Sequence, residues 1–262
     1  MGLAPPASPI RWKTFVLTLV LAGSLMGWAS SGLIVTAAFG VAWLPDPPAV
    51  PAALILGGLT VGIDPGHGGY DPGVVALRET DQVRECDINL AVCLKLREIL
   101  ERAGAKVILT RETDTDLVKP GDAEKYGSVA RAELTRRAEI VLAGRPDLFL
   151  SIHCNSFPGP TWRGAQTFYL SDGSRLSRVL AESVQAELER VTGETDRYPN
   201  TRQGIFLLTQ MGSVPAITVE LGFLSNPEDL ALLQNPDYQQ LCALAVFFGV
   251  CRFAGQYLPG GE

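Results

Sequence analysis

From residue 59 onward, short apolar runs alternate with amphipathic segments of helical period, and this alternation restricts the fold more than any other feature. LTVGID (59–64), KVILT (106–110), LFLSIH (148–153), GAQTFYL (164–170), GIFLL (204–208) and AITVEL (216–221) each read as a short buried strand. Between the first two, INLAVCLKLREIL (88–100) sets Ile88, Val92, Leu96, Ile99 and Leu100 at 3–4 spacing, which predicts a helix with Gly104 just past its end. A polar loop over 111–127 precedes a helix expected at 129–143, and a longer helix is expected at 174–191. Ser225-Asn226-Pro227-Glu228 reads as a helix start, with Ser225 at the N-cap and Glu228 closing a capping box, and one or two helices finish the chain. Strands separated by helices imply an α/β fold: a single domain with a mostly parallel mixed sheet, flanked by helices on both faces.

The first fifty residues obey a different rule. Arg11 and Lys13 precede a stretch from Thr14 to Pro45 without a charged residue. A hydrocarbon core about 30 Å thick needs only ~20 such residues in a helix. Residues 1–13 are therefore expected to be a cytoplasmic N-terminus and 14–44 a transmembrane helix, with the positive charges inside and Asp46 outside. A cleaved signal peptide competes, with Ala29-Ser30-Ser31 or Val35-Thr36-Ala37 at the cut, but the apolar stretch outruns a usual h-region of ~7–15 residues. Either reading exports the domain. Pro45, Pro47, Pro48 and Pro51 break any helix and make 45–58 a stiff linker, leaving 59–256 as the folded domain.

Charge and cysteine usage remove several functions. The net charge is −6 and no Lys/Arg-rich run occurs, so nucleic acid is not expected as a partner. Five scattered cysteines without a CxxC pair suggest neither a disulfide scaffold nor a cysteine-based zinc knuckle. They read as buried thiols that behave as small apolar residues. Gly66-x-Gly68-x-x-Asp71 after a strand is superficially like a dinucleotide fingerprint. The third glycine is missing, however, and Pro65 and Pro72 spoil the helix that should open there.

The chain contains only two histidines, and their placement carries the chemistry. His67 follows the first strand within GIDPGHGGYDPG, and His153 ends the strand 148–153. Glu220 lies near the end of 216–221, and Glu85 sits just before the helix that follows the His67 loop. Open α/β sheets bind ligands outside the carboxyl ends of their strands; His67, His153 and Glu220 are expected at that edge, and Glu85, just before the following helix, is within reach of it. Two imidazoles and one carboxylate match the protein ligand count of a catalytic zinc, and a second carboxylate supplies proton transfer. Either histidine alone reads equally well as a turn or core residue. Glu220, flanked by Val219 and Leu221, is harder to explain as structure, since an unpaired carboxylate there costs several kcal/mol. Glu85 also reads as a favourable acid at a helix N-terminus. Arg111 reads as a structural residue paired with a local acid.

IDPGHGGYDPG (63–73), ECDINLAVCLKLREIL (85–100), LTRETD (109–114), LFLSIHCNSF (148–157) and AITVELGFLSNPED (216–229) resemble the zinc-dependent N-acetylmuramoyl-L-alanine amidases of the third amidase family. The resemblance runs from about Val61 to Leu233. It implies one Zn2+ per chain held by His67, Glu85 and His153, Glu220 as the catalytic carboxylate, and peptidoglycan as substrate. Asn155 and Ser156, directly after His153, are expected to bind substrate, orient a ligand or simply form a loop. WRGAQTFYL (162–170) and RAELTRRAEI (131–140) are most similar to the germination-specific amidases of spore formers. That subgroup implies spore cortex as substrate and a polysaccharide deacetylase acting in the same pathway to form muramic-δ-lactam. It also implies a membrane anchor that holds the domain outside the cytoplasm. The alternative is a non-catalytic, membrane-anchored cell-wall-binding module of the same fold.

Overall fold

The computed structural model describes residues 33–37, 40–44, 56–78, 81–193 and 196–257. These belong to two compact units, Met1–Val50 and Pro51–Glu262. In the first, β1 (Leu33–Ala37) pairs antiparallel with β2 (Gly40–Leu44), Leu33 lying opposite Leu44 and Ala37 opposite Gly40. The membrane helix expected over 14–44 is thus corrected only at its end, where residues 33–37 and 40–44 are extended. Ile34, Val35, Thr36 and Val41 are β-branched, and such side chains suit a strand better than a helix. Residues 14–32 lie outside the described residues, and no helix among the described ones is long and apolar enough to cross a membrane.

The second unit is built on a six-stranded sheet. Its strands are β3 (Thr60–Pro65), β6 (Lys106–Leu109), β7 (Leu148–Asn155), β8 (Gln166–Tyr169), β9 (Asn200–Thr201) and β10 (Ala216–Phe223), in the order β6-β3-β7-β10-β8-β9. The first four in that order run parallel, and β8 is antiparallel to β10, so the sheet is mixed as expected. A separate hairpin, β4 (Val75–Arg78) with β5 (Asp81–Arg84), stands between β3 and the first helix.

Strand alternation sends the two sets of side chains to different helices. Val61, Ile63, Leu148, Leu150, Ile152, Ile217 and Val219 join the larger core with α1 (Glu85–Arg102), α4 (Arg175–Thr192) and α7 (Pro236–Tyr257). Phe149 and Ala216 face the other way, into a smaller core with α3 (Val129–Ala143) and α5 (Phe206–Gln210). Helices therefore cover both faces. A short helix, α2 (Asp122–Tyr126), interrupts the loop expected to be irregular over 111–127.

Two local expectations fail for identifiable reasons. GIFLL (204–208) is not a strand: Gly204 turns the chain with φ +75°, and Phe206–Gln210 form the single-turn helix α5. A five-residue apolar run carries no period that separates strand from helix, and here Leu207 and Leu208 are buried against the Phe149 face. The N-cap of α6 (Pro227–Leu233) is Asn226 rather than Ser225, its side chain accepting from the backbone N–H of Glu228 and Asp229. Ser225 instead accepts from Phe157 N at 3.1 Å, and Glu228 pairs with Arg163 rather than closing a capping box.

A candidate metal centre beside a buried carboxylate

The loop after β3 is shaped so that one imidazole points inward. Gly68 and Asp71 exchange backbone hydrogen bonds at 2.7 and 3.1 Å, which folds the loop back and puts His67 at φ +62°. That conformation is uncommon for a side-chain-bearing residue and persists only where surroundings enforce it. Asp71 accepts from His67 Nδ1 at 2.8 Å, leaving Nε2 to face Glu85 Oε2 at 3.3 Å. Gly73, at φ +66°, makes this possible in a second way. A Cβ there would lie 2.6 Å from Glu85 Oε2 and 2.7 Å from the His67 ring.

Glu85 opens α1 and is almost fully buried. Its Oε2 accepts from Val74 N at 3.0 Å, and its Oε1 accepts from Cys154 N at 3.0 Å and from Asn89 Nδ2 at 3.3 Å. The His153 ring meets the same Oε1 through Nδ1 at 3.1 Å. The two imidazoles stand edge to face, with centroids 4.9 Å apart. One ligand atom from each of His67, Glu85 and His153 lies within 4.8 Å of the others. Burial alone would push the Glu85 carboxyl up, but hydrogen bonds from His153 and His67 hold it well below the usual range. Burial would likewise lower His67, yet Glu85 and Asp71 raise it to about 9. Two imidazole nitrogens and a carboxylate oxygen converging in this way are donors that suit a divalent cation of borderline softness.

Two buried arginines hold the loop from below. Arg137 of α3 pairs with Asp64 at 2.9 Å and Glu133 at 2.9 Å, and donates to the carbonyls of Pro65 and His67 at 2.8 and 2.7 Å. Asp64 also accepts from Thr110 Oγ1 and Ser151 Oγ. Arg111 does not form the acid pair expected for it. It donates to the carbonyls of Pro65, Gly66, Cys86 and Thr113, at 2.9 to 3.1 Å. These carbonyls converge because the loop turns tightly, and only multi-donor guanidinium groups satisfy so many acceptors at once.

Glu220 lies beside His153 in the parallel register of β10 and β7, and beside Gln166 on β8. It is 6% exposed. Its Oε1 accepts from Arg202 Nη1 at 3.2 Å, and its Oε2 has no hydrogen-bond partner among the described residues. Burial pushes its carboxyl up, against the opposing charges of His153 and Arg202. A carboxylate held dry and with one free oxygen is equipped to take and return a proton.

All four residues singled out from the sequence thus meet at one sheet edge. Asn155 and Ser156 stand at its rim, where the Asn155 side chain accepts from Ser156 N at 2.8 Å and its carbonyl from Leu224 N. The first bond is local, and the second ties the end of β7 to the end of β10. Cys86, Asp87 and Asp114 also bring ligand atoms together, but Arg84 bridges both aspartates and occupies the position a cation would take. Asp71, Asn89, Asp64, Arg137 and Arg202 were not legible as site residues. Asp71 alone left a signal, four residues after His67 in a glycine-rich loop.

Residues 61–252 match the profile of the N-acetylmuramoyl-L-alanine amidase family. The germination-specific N-acetylmuramoyl-L-alanine amidase of Bacillus subtilis is 36% identical over 203 residues, covering 78% of this chain and 83% of that protein. The CwlD amidase of Clostridioides difficile, solved in complex with the GerS lipoprotein, superposes with a TM-score of 0.69 at 37% identity. That match covers 75% of this chain and 98% of the other. The catalytic domain of CwlV, an N-acetylmuramoyl-L-alanine amidase of Bacillus (Paenibacillus) polymyxa var. colistinus, superposes with a TM-score of 0.62 at 30% identity, covering 74% and 97%.

Proposed function

The chain belongs to the N-acetylmuramoyl-L-alanine amidase family and is an amidase of peptidoglycan, and we propose that His67, Glu85 and His153 hold its zinc while Glu220 carries the proton. The observation behind this reading is the convergence of two imidazoles and a carboxylate within 4.8 Å, beside a buried glutamate with one unpartnered oxygen. Zinc bound there supplies a Lewis acid for the scissile carbonyl and lowers the pKa of water at the same place. Asp71 fixes the His67 ring so that Nε2 faces the site. Val74 N, Cys154 N and Asn89 hold the Glu85 carboxylate in place, so its oxygens stay aimed between the two rings.

Glu220 accepts the proton of the water that attacks the lactyl carbonyl of N-acetylmuramic acid. It then returns the proton to the departing nitrogen of L-alanine. Its burial favours the protonated form it takes midway, which eases acceptance of that proton. The likeness to germination-specific relatives supports spore cortex as substrate, with a polysaccharide deacetylase completing the lactam afterwards. Residues 14–32 carry no charge and, at ~1.5 Å per residue, approach the hydrocarbon thickness as a helix. On this reading they hold the domain at the outer face of the membrane. An intact set of donors favours turnover over a wall-binding module that has lost activity.

The test is digestion of purified vegetative wall and spore cortex by the full chain in detergent with added zinc. Mass spectrometry reads new L-alanine N-termini on intact glycan. Release by the wild-type chain and none by Glu220→Gln is the expected result. A zinc-loaded, folded protein that releases nothing from either substrate would overturn the reading.

A further inference from the structure

The Glu220 carboxylate has one oxygen tied and one free, and the residue that ties it is on no other count part of the site. Arg202 follows the edge strand β9, where its own N–H donates to Tyr169 O at 3.0 Å. From there its side chain crosses β8. The guanidinium lies over the Phe168 ring, 4.4 Å from its centroid, and Nη1 reaches Glu220 Oε1 at 3.2 Å. Phe168 and Glu220 share a sheet face, since Thr218 pairs with Phe168 and Glu220 with Gln166 across β10 and β8. The stacked ring therefore serves as a shelf that fixes the plane of the guanidinium while its edge engages the carboxylate.

We propose that Arg202 is the positioning residue for Glu220: it holds Oε1 from the β9 side and so presents Oε2 to the reacting amide. The inference rests on Glu220 being the proton carrier. An ion pair kept only for stability would be expected to engage both carboxylate oxygens, because a bidentate guanidinium is the stronger arrangement. Here Arg202 touches one oxygen, and the other is buried without a partner among the described residues. Leaving a buried acceptor unpaired is costly, and such atoms are retained where a reaction uses them. Arg202 itself is half-exposed at the rim, so it reaches Glu220 from the solvent side without being buried for packing.

The experiment compares Arg202→Met, Arg202→Lys, Arg202→Gln and Glu220→Gln in the full chain, using soluble disaccharide-peptide fragments of peptidoglycan. Bound zinc and melting temperature are measured alongside. Arg202→Met is expected to lower kcat roughly ten- to a hundredfold, the scale of a misplaced catalytic group. Its KM should stay within about twofold, because ground-state binding is untouched. Arg202→Lys, which keeps the charge but loses the stacked plane, should recover part of kcat, whereas Arg202→Gln should not. Zinc content should match the wild type throughout. If Arg202→Met raises KM with kcat preserved, the arginine is a substrate clamp and the inference is overturned. Normal kinetics in Arg202→Met beside an inactive Glu220→Gln overturns it too, leaving the role of Glu220 intact. Wild-type turnover by Glu220→Gln removes the role of Glu220 itself. Should Arg202→Met fail to fold, the contrast between the lysine and glutamine variants decides the matter.

Discussion

Replacing Gly66 by alanine should uncouple the metal site from the fold. The backbone at Gly66 lies outside the left-handed region, so alanine brings no conformational strain of its own. The effect is therefore steric and local. An added Cβ would stand 2.6 Å from His153 Nδ1 and closer still to Cε1 and Nε2. Comfortable carbon contacts begin at ~3.5 Å, so ring or loop must give way by about 1 Å. The loop is the poorer candidate. Gly66 N donates to Ile152 O at 2.9 Å, while its carbonyl accepts from Asn89 and Arg111. The imidazole must yield, and a displaced ligand should cost roughly ten- to a hundredfold in zinc affinity, or about 1.4–2.7 kcal/mol. Turnover should fall ~100-fold, as expected when a catalytic group moves by about 1 Å. Chelator competition reads the zinc affinity, and thermal melting of the zinc-free protein should change by no more than ~2 °C, the equivalent of under about 1 kcal/mol. Gly255→Ala is the control, having nothing within 4 Å of its added Cβ. Wild-type zinc affinity in Gly66→Ala would refute the placement of His153, and a collapse in melting temperature would refute the separation of site from core.

The remaining expectations concern the supports. Arg137→Leu leaves Asp64 and Glu133 buried without their cation and should cost ~3–5 kcal/mol, read by urea unfolding. Asn226→Ala removes the acceptor for two helix N–H groups and should cost about 1 kcal/mol, visible as a drop of ~2–4 °C in melting temperature. Acid should act through Asp64. Burial would raise its carboxyl, but Arg137, Thr110, His153 and Ser151 together hold it below its ordinary 3.8. Its contribution to stability is therefore fully present above pH ~4 and is lost as pH falls through the lowered folded-state value. The urea midpoint of the wild type should decline over that range, whereas Asp64→Asn should start lower and decline less. Parallel curves would remove Asp64 from the account.

What was legible in the sequence follows from how local each cause is. Strands such as 148–153 and 216–221 announce themselves because they are buried on both sides and hence continuously apolar. GIFLL misled for the same reason, since a short apolar run reports burial without reporting conformation. His67, His153 and Glu220 stood out because polar groups at the ends of apolar strands are rarely idle, whereas Glu85, an ordinary acid at a helix start, was singled out mainly by the family resemblance. Arg137 was invisible, and Arg111 was read with the wrong partner, because an arginine on a helix or after a strand is ordinary in sequence. Their significance comes from the carbonyls of residues 65–67, and no periodicity records which way a carbonyl turns.

The supports nonetheless obey a single physical requirement. A loop tight enough to aim His67 at Glu85 must turn the carbonyls of Pro65, Gly66 and His67 into the protein, away from water. Each such carbonyl needs a donor, and each guanidinium that serves as one needs its charge balanced. Arg137 finds that balance in Asp64 and Glu133, and Asp64 in turn ties β3 to Ser151 on β7, two residues before His153. The two histidines are thus fixed to each other through buried charge as well as through Glu85. Disturbing Arg137 should loosen both imidazoles together, which a loss of zinc affinity in the still-folded fraction of Arg137→Lys would register.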